Sequence, residues 1–333
     1  LGANATSVLE LLRPIQDLLA SPEITELCIN RPGEVFLESA SRWSRREVPE
    51  ATHAWALSLA IAAASYGAQP LSRAMPFLSV RLPAGERMQG IVPPACASGR
   101  VVFSIRSPYR ARPSLHEFER AGAFEATEAT RTGPSAGDLM LLDLLKRREI
   151  RAFLECAVLA RKNIAVVGDT GSGKTTLMRA LCELIDPAQR LVTIEDTHEL
   201  EGLPINSANL FYGEALGIVP ADCIRAALRL RPDRVILAEL RGAEAFDFLN
   251  VLMTGHPGSI TSFHAESCSL ALERFALMAG SHPAAHSYSE AQLIRLARLT
   301  IDIVAHLGRA DGRRRLTSID FDPTRRYLAT PQG

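Results

Sequence analysis

Gly168-Asp169-Thr170-Gly171-Ser172-Gly173-Lys174-Thr175 fits the pattern G-x-x-x-x-G-K-[ST] at every fixed position. Immediately before it, Asn163-Ile164-Ala165-Val166-Val167 reads as a short buried strand. After it, residues 176–185 carry apolar side chains at helical spacing. Strand, glycine loop and helix together aim backbone N–H groups and a helix N-terminus at a triphosphate. Glycines let that backbone approach phosphates with no Cβ in the way. Lys174 can reach the β- and γ-phosphates, and the Thr175 hydroxyl can ligate Mg²⁺. The expected nucleotide-binding residues here are Gly171, Ser172, Gly173, Lys174, Thr175 and Thr176. ATP and Mg²⁺ are the expected substrate and cofactor.

The flanks decide the domain organisation. At 333 residues, about two domains are expected. N-terminal to residue 108 the chain reads as an α+β unit: a helical face over residues 8–19, a hairpin of 24–29 with 34–38, a helix over 51–66, and strands at 77–82, 87–92 and 101–106. Residues 108–138 are rich in Pro and Gly and read as linker, with a charged helical piece at 115–120 and a hinge near 127–137. From 139 to 333, helical patterns alternate with apolar strands at 190–194, 234–238 and 259–263, and a hairpin pairs 301–307 with 313–320 across Ala310-Asp311-Gly312. That alternation means a parallel sheet wound with helices.

Lys+Arg and Asp+Glu both number 37, so the formal charge is zero and sequence-specific nucleic-acid binding is not expected. The six cysteines are scattered, with no C-x-x-C pair, which suggests neither a zinc ribbon nor a redox motif and fits a reducing cytosol. No apolar run is long enough to span a bilayer, and no leader is recognisable.

Ligands of open α/β sheets bind beyond the C-terminal strand ends. The strand ending at Ile194 releases Glu195-Asp196-Thr197-His198-Glu199, the one ending at Ala238 releases Glu239-Leu240-Arg241, and the one ending at Phe263 releases His264. Carboxylates beside such a loop hold Mg²⁺ and orient the attacking water. Glu239, Glu195, Lys174 and His264 are therefore the candidate catalytic groups, and Thr175, Glu239 and Asp196 the candidate metal ligands. A pairing of Glu239 with Arg241 is the plain alternative. Arginines serve the charge of the transition state, and Arg225, Arg229, Arg231, Arg234, Arg87, Arg100 and Arg106 are the candidates.

In order, 168–175, 193–200, 230–242 and 254–265 resemble the Walker A, Asp, Walker B and His boxes of the secretion traffic ATPases. Ile29-Asn30-Arg31-Pro32-Gly33-Glu34, Leu82-Pro83-Ala84-Gly85-Glu86-Arg87 and Ser104-Ile105-Arg106 are similar to the VirB-type ATPases of type IV secretion and conjugation. The resemblance implies a PAS-like N-terminal domain (1–107), a linker (108–138) and a RecA-like P-loop domain (139–333). It further implies a homo-hexameric ATP-hydrolysing motor for export or pilus assembly, peripheral to the cytoplasmic face of the inner membrane, among other components of a secretion apparatus. By the same carry-over, Arg106 and Arg87 contact nucleotide from the first domain, and ATP closes the two domains. The family's usual Gly before the Walker B carboxylate is Ala238 here, and hydrolysis is expected to survive the added methyl. The four-cysteine zinc element of type II motors is missing. A nucleotide-gated scaffold with little turnover, a pilus or type II-like assembly motor and a nucleic-acid translocase are the competing readings.

Overall fold

The computed structural model describes residues 3–108, 114–127, 133–200, 203–310 and 312–326. Pro113, the linker stretch 128–132 and the turn residue Asp311 lie outside them.

The N-terminal part runs α1 (Ala3–Leu12), α2 (Gln16–Ala20), β1 (Ile24–Ile29), β2 (Glu34–Ser39), β3 (Arg42–Glu47), α3 (His53–Tyr66), β4 (Phe77–Arg81), β5 (Arg87–Ile91) and β6 (Val102–Arg106). Its six strands form an antiparallel sheet in the order β3-β2-β1-β6-β5-β4. Val8, Leu12, Ile15, Leu59 and Ala63 from the helices share one core with Leu27, Ile29, Leu37 and Phe103 from the strands. Thr52 starts α3 by accepting from Trp55 N, and Gly67 follows its end. Strand β3 was not expected from the sequence. Its residues, Arg-Trp-Ser-Arg-Arg-Glu, include none that is buried, and it sits at the sheet edge, where charge blocks further pairing.

In the connector, α4 (Leu115–Arg120) begins at a reciprocal Ser114–Glu117 capping box and buries nothing. A second capping box, Ser135 with Asp138, starts α5 (Ala136–Lys146) inside the stretch read as linker. The remainder runs α6 (Ile150–Leu159), β7 (Ile164–Gly168), α7 (Lys174–Glu183), β8 (Leu191–Glu195), β9 (Ser207–Phe211), α8 (Pro220–Ala227), β10 (Arg234–Leu237), α9 (Glu244–Met253), β11 (Ile260–Phe263), α10 (Cys268–Gly280), α11 (Glu290–Thr300), β12 (Ile303–Ala310) and β13 (Arg313–Phe321). The seven strands lie in the order β13-β12-β7-β11-β10-β8-β9, parallel except for the β12–β13 hairpin. Phe153, Val158, Met178 and Leu181 cover one face, against Val166 and Ile236. Phe248, Leu249 and Phe275 cover the other, against Val167, Ile194 and Val235. The expected α/β unit with a smaller α+β partner is therefore what the chain forms.

The two sheets are joined by both apolar and polar contacts. Ile91, Ala95, Cys96 and Val102 of the first unit belong to the same apolar cluster as Leu210, Tyr212 and Ile224 of the second. Beside that seam lies Arg190, fully buried at the entrance to β8. Its guanidinium donates to Leu230 O (2.8 Å), Asn30 Oδ1 (2.9 Å) and Asn206 Oδ1 (2.6 Å), and stands 5.7 Å from the Trp43 ring centroid. Asp233 Oδ2 accepts from both Arg190 N and Trp43 Nε1. Arg231 adds a two-toothed contact to Glu38. Truncating Arg190 would strand Leu230 O and Asn30 Oδ1 and leave Asn206 Oδ1 with the Asn30 amide alone, so Arg190→Met should lower unfolding stability by roughly 2–4 kcal/mol. Urea titration measures this, and an unmoved midpoint would deny Arg190 its anchoring role.

Candidate functional site

Strand β7 delivers the glycine loop, and its own neighbour dictates the first glycine. Gly168 has φ +144°, and a Cβ there would lie 2.0 Å from Leu307 O of β12. Only a residue without a side chain lets the two backbones pass this closely. Gly173, at φ +100°, turns the loop into α7, whose start has no side-chain cap. Ser172 Oγ is buried and has no hydrogen-bond partner among the described residues. Lys174 is 8% exposed, and its Nζ donates to Gly168 O (2.9 Å) and Asp169 O (3.0 Å). Burial pulls the Lys174 pKa down, while the charges of Glu239 and Asp169 oppose that shift. An uncapped helix start and an ammonium turned onto its own loop suit an anionic guest.

The neighbouring strand exits bring the other groups. His264, just past β11, sets Nδ1 3.2 Å from Gly168 O and 3.4 Å from Lys174 Nζ. Its Nε2 lies 3.0 Å from Glu239 Oε1. The other Glu239 oxygen accepts from Arg241 Nη2 at 2.6 Å, and that same nitrogen lies 2.7 Å from Asp196 Oδ2. Both carboxylates thus share one guanidinium, whose pKa is raised chiefly by its hydrogen bond to Glu239. Gly171, Gly173, Thr175 and Ala238 also line this cavity of about 610 Å³, a size suited to a small-molecule ligand. Among the described residues, no three His, Cys, Asp or Glu side chains gather as a metal cage. The Thr175 hydroxyl with Asp196 and Glu239 still fits Mg²⁺, which takes few protein oxygens and completes its shell with phosphate and water.

Several expected residues are placed elsewhere. Glu195 is fully buried as the last residue of β8 and does not line the cavity. Its Oε2 accepts from Glu199 N and Leu200 N, both at 2.9 Å, and its Oε1 from Thr193 Oγ1 at 2.7 Å. Every contact made by that carboxylate holds the strand exit in shape. Ser172 lies beneath the loop, and Thr176 is exposed on α7; neither is part of the cavity wall. Arg234 is buried and spends its donors on Gln189, Val158 and Gly258. Arg87 and Arg106 pair across β5 and β6 and line a different cavity, of about 470 Å³, with Glu26, Arg81, Arg229 and Arg231. Burial pushes the Glu26 pKa up, against a hydrogen bond from Ser104 and the charge of Arg106. Arg229 and Arg231 precede β10, whereas Glu239 follows it. The arginine cavity and the glycine loop therefore lie at opposite ends of the strands of the second sheet.

Two cavity-lining arginines carry no prior expectation as ligand contacts. Arg241 was read only as a pairing partner, and Arg314 of β13 belongs to no motif. Strand alternation was the one available signal for Arg314, since it shares a face with Leu316, which packs on the core beneath α7.

Residues 136–310 match the family described as Type II/IV secretion system protein. The Type IV secretion system protein VirB11 of Brucella suis biovar 1 is 41% identical over 338 residues, spanning 98% of this chain and 93% of that protein. PtlH, a type IV secretion system protein of Bordetella pertussis, is 40% identical over 322 residues, 92% of this chain and 93% of its own length. The crystal structure of the VirB11 ATPase from the Brucella suis type IV secretion system in complex with sulphate superposes with a TM-score of 0.93 at 40% identity, covering 98% of this chain and 97% of that one.

The close pass of Leu307 O over Gly168 leads to a prediction independent of any ligand. Gly168→Ala should lower stability by about 1–3 kcal/mol through overpacking against backbone. Urea unfolding without nucleotide measures this, and an unchanged midpoint would leave Gly168 with a ligand-facing role alone.

Proposed function

The chain belongs to the type II/IV secretion family, among the VirB11 ATPases of type IV secretion systems, and on that premise we propose that it hydrolyses ATP as a ring-forming motor. The supporting observation is the convergence of Lys174, His264 and Glu239 within hydrogen-bond reach at three adjacent strand exits. In this reading the loop from Gly171 to Thr175 holds the β- and γ-phosphates, with Lys174 turning from its own carbonyls to the phosphate oxygens. Glu239 orients the attacking water and accepts its proton. His264 bridges Glu239 and the loop and faces the terminal phosphate. Bound Mg²⁺ neutralises phosphate charge, and Thr175, Asp196 and Glu239 are the residues that would hold it. Glu195 acts at one remove, by fixing the backbone from Asp196 to Leu200 through the hydrogen bonds described above.

The arginines support a ring-shaped oligomer. A cavity rich in arginine and a phosphate-binding loop at opposite strand ends of one sheet suit a head-to-tail ring, which closes by rotation. In such a ring, taken here as six copies, Arg106 and Arg87 of one copy reach the nucleotide of its neighbour. Residues 1–107, 108–138 and 139–333 are proposed as N-terminal domain, linker and ATPase domain. No helix among the described residues is long and apolar enough to cross a membrane. The ring is proposed to work at the cytoplasmic face of the inner membrane through peripheral contact with other components of the apparatus, driving substrate export or pilus assembly.

Phosphate release by the purified protein is the primary test. Lys174→Ala should abolish it, and equal rates for the two proteins would end the ATPase reading. Glu239→Gln should still bind a labelled ATP analogue while turnover falls at least ~100-fold, as expected on losing a general base. Mixing tests the ring: Lys174→Ala and Arg106→Ala chains, each inactive alone, should regain phosphate release when co-assembled. Mixed rings that stay silent would return Arg106 to its own subunit.

A further inference from the structure

We propose that Arg314 binds the nucleoside end of the nucleotide, at its α-phosphate, from the side of the loop opposite Glu239. The inference rests on the nucleotide-binding reading of the cavity that Arg314 lines. The sheet order carries it. Strand β7, which delivers the glycine loop, lies between β11 on one side and β12 on the other. All the carboxylates and His264 enter from the β11, β10 and β8 side. A triphosphate that sets its terminal group against Glu239 must therefore run its other end toward β12 and β13. There Arg314 waits: a Cβ built on Gly173 would lie 3.6 Å from Arg314 Cδ.

The hairpin around Arg314 is itself arranged for an anion. Arg309 of β12 and Arg314 of β13 are register partners, so two guanidinium groups leave the same face of the hairpin side by side. Like charges placed directly opposite destabilise a strand pair. Neither arginine has a hydrogen-bond or ion-pair partner among the described residues. The repulsion is relieved when a phosphate joins them. Leu316, two residues along, is anchored in the core beneath α7 and sets the direction of this face, whereas Arg313 points to the other. A guanidinium here meets ADP and ATP alike, because both carry the α-phosphate. It contributes binding that is equal in ground and transition states, which shows in KM and not in kcat.

The experiment uses the full chain and measures the affinities of fluorescent ADP and of a non-hydrolysable ATP analogue by titration. Arg314→Gln should weaken both by the same factor, roughly tenfold, the loss expected of one charge-assisted hydrogen bond. KM should rise by a like factor in phosphate release. Arg314→Lys should fall between the two, since it keeps the charge without the fork. Arg313→Gln, on the opposite face, should bind as the unsubstituted chain does. Unchanged affinity in a folded Arg314→Gln protein overturns the inference, as does a loss confined to the ATP analogue, which would move Arg314 to the γ-phosphate. An equal loss in Arg313→Gln would reduce the effect to general surface charge and overturn it too. Failure of the unsubstituted chain to bind either nucleotide would sink the nucleotide reading itself.

Discussion

Val167 of β7 is paired in register with Phe263 of β11 on one side and His306 of β12 on the other, and Leu237 of β10 stands level with Thr261 of β11. By that register Gly168, the last residue of β7, stands level with His264, and Glu239 lies within one residue of them. Everything at the site depends on that levelling. Period-two alternation means that a slip of one residue in any of these pairings would send an exit side chain to the other face. The apolar layers above and below the sheet hold the register, because both faces of each central strand are buried. Gly168 is the point where this constraint is tightest, as the strand next door leaves no space for a side chain.

On the Glu239 side of the cavity, opposite charges are paired before any ligand enters. Lys174 leans on loop carbonyls, and Arg241 straddles Asp196 and Glu239. Each of these contacts is formed from groups that phosphate or metal would otherwise engage. Binding is then an exchange of partners in a half-enclosed space, with modest net gain per contact and high sensitivity to geometry.

The sequence made the glycine loop, the strand exits and both kinds of sheet legible, because each leaves a local pattern of glycine spacing or apolar period. What it hid has physical reasons. Strand β3 has no apolar alternation because an edge strand faces water. Strand β9 is short, and Ser207-Ala208-Asn209-Leu210-Phe211 alternates too weakly to stand out. The inward turn of Glu195 depends on which face of β8 its last residue occupies, and in a strand buried on both sides both faces look alike. Arg87 and Arg106 could be found as strand arginines, but the end of the second sheet they meet is set by how the two units dock. Arg314 is reached only by knowing that β13 lies beside β12 and that its odd and even residues part company.

Strand β8 links two of these features end to end. Arg190, at its entrance, is bound to Asn30 of the first sheet, and Glu195, at its exit, grips the loop beside the phosphate cavity. The span between is one extended strand of roughly 17 Å, at about 3.3 Å per residue, with no joint in it. The loop beside the cavity and Asn30 of the first unit are thereby tied to the two ends of one stiff strand, which β9 and β10 hold from either side.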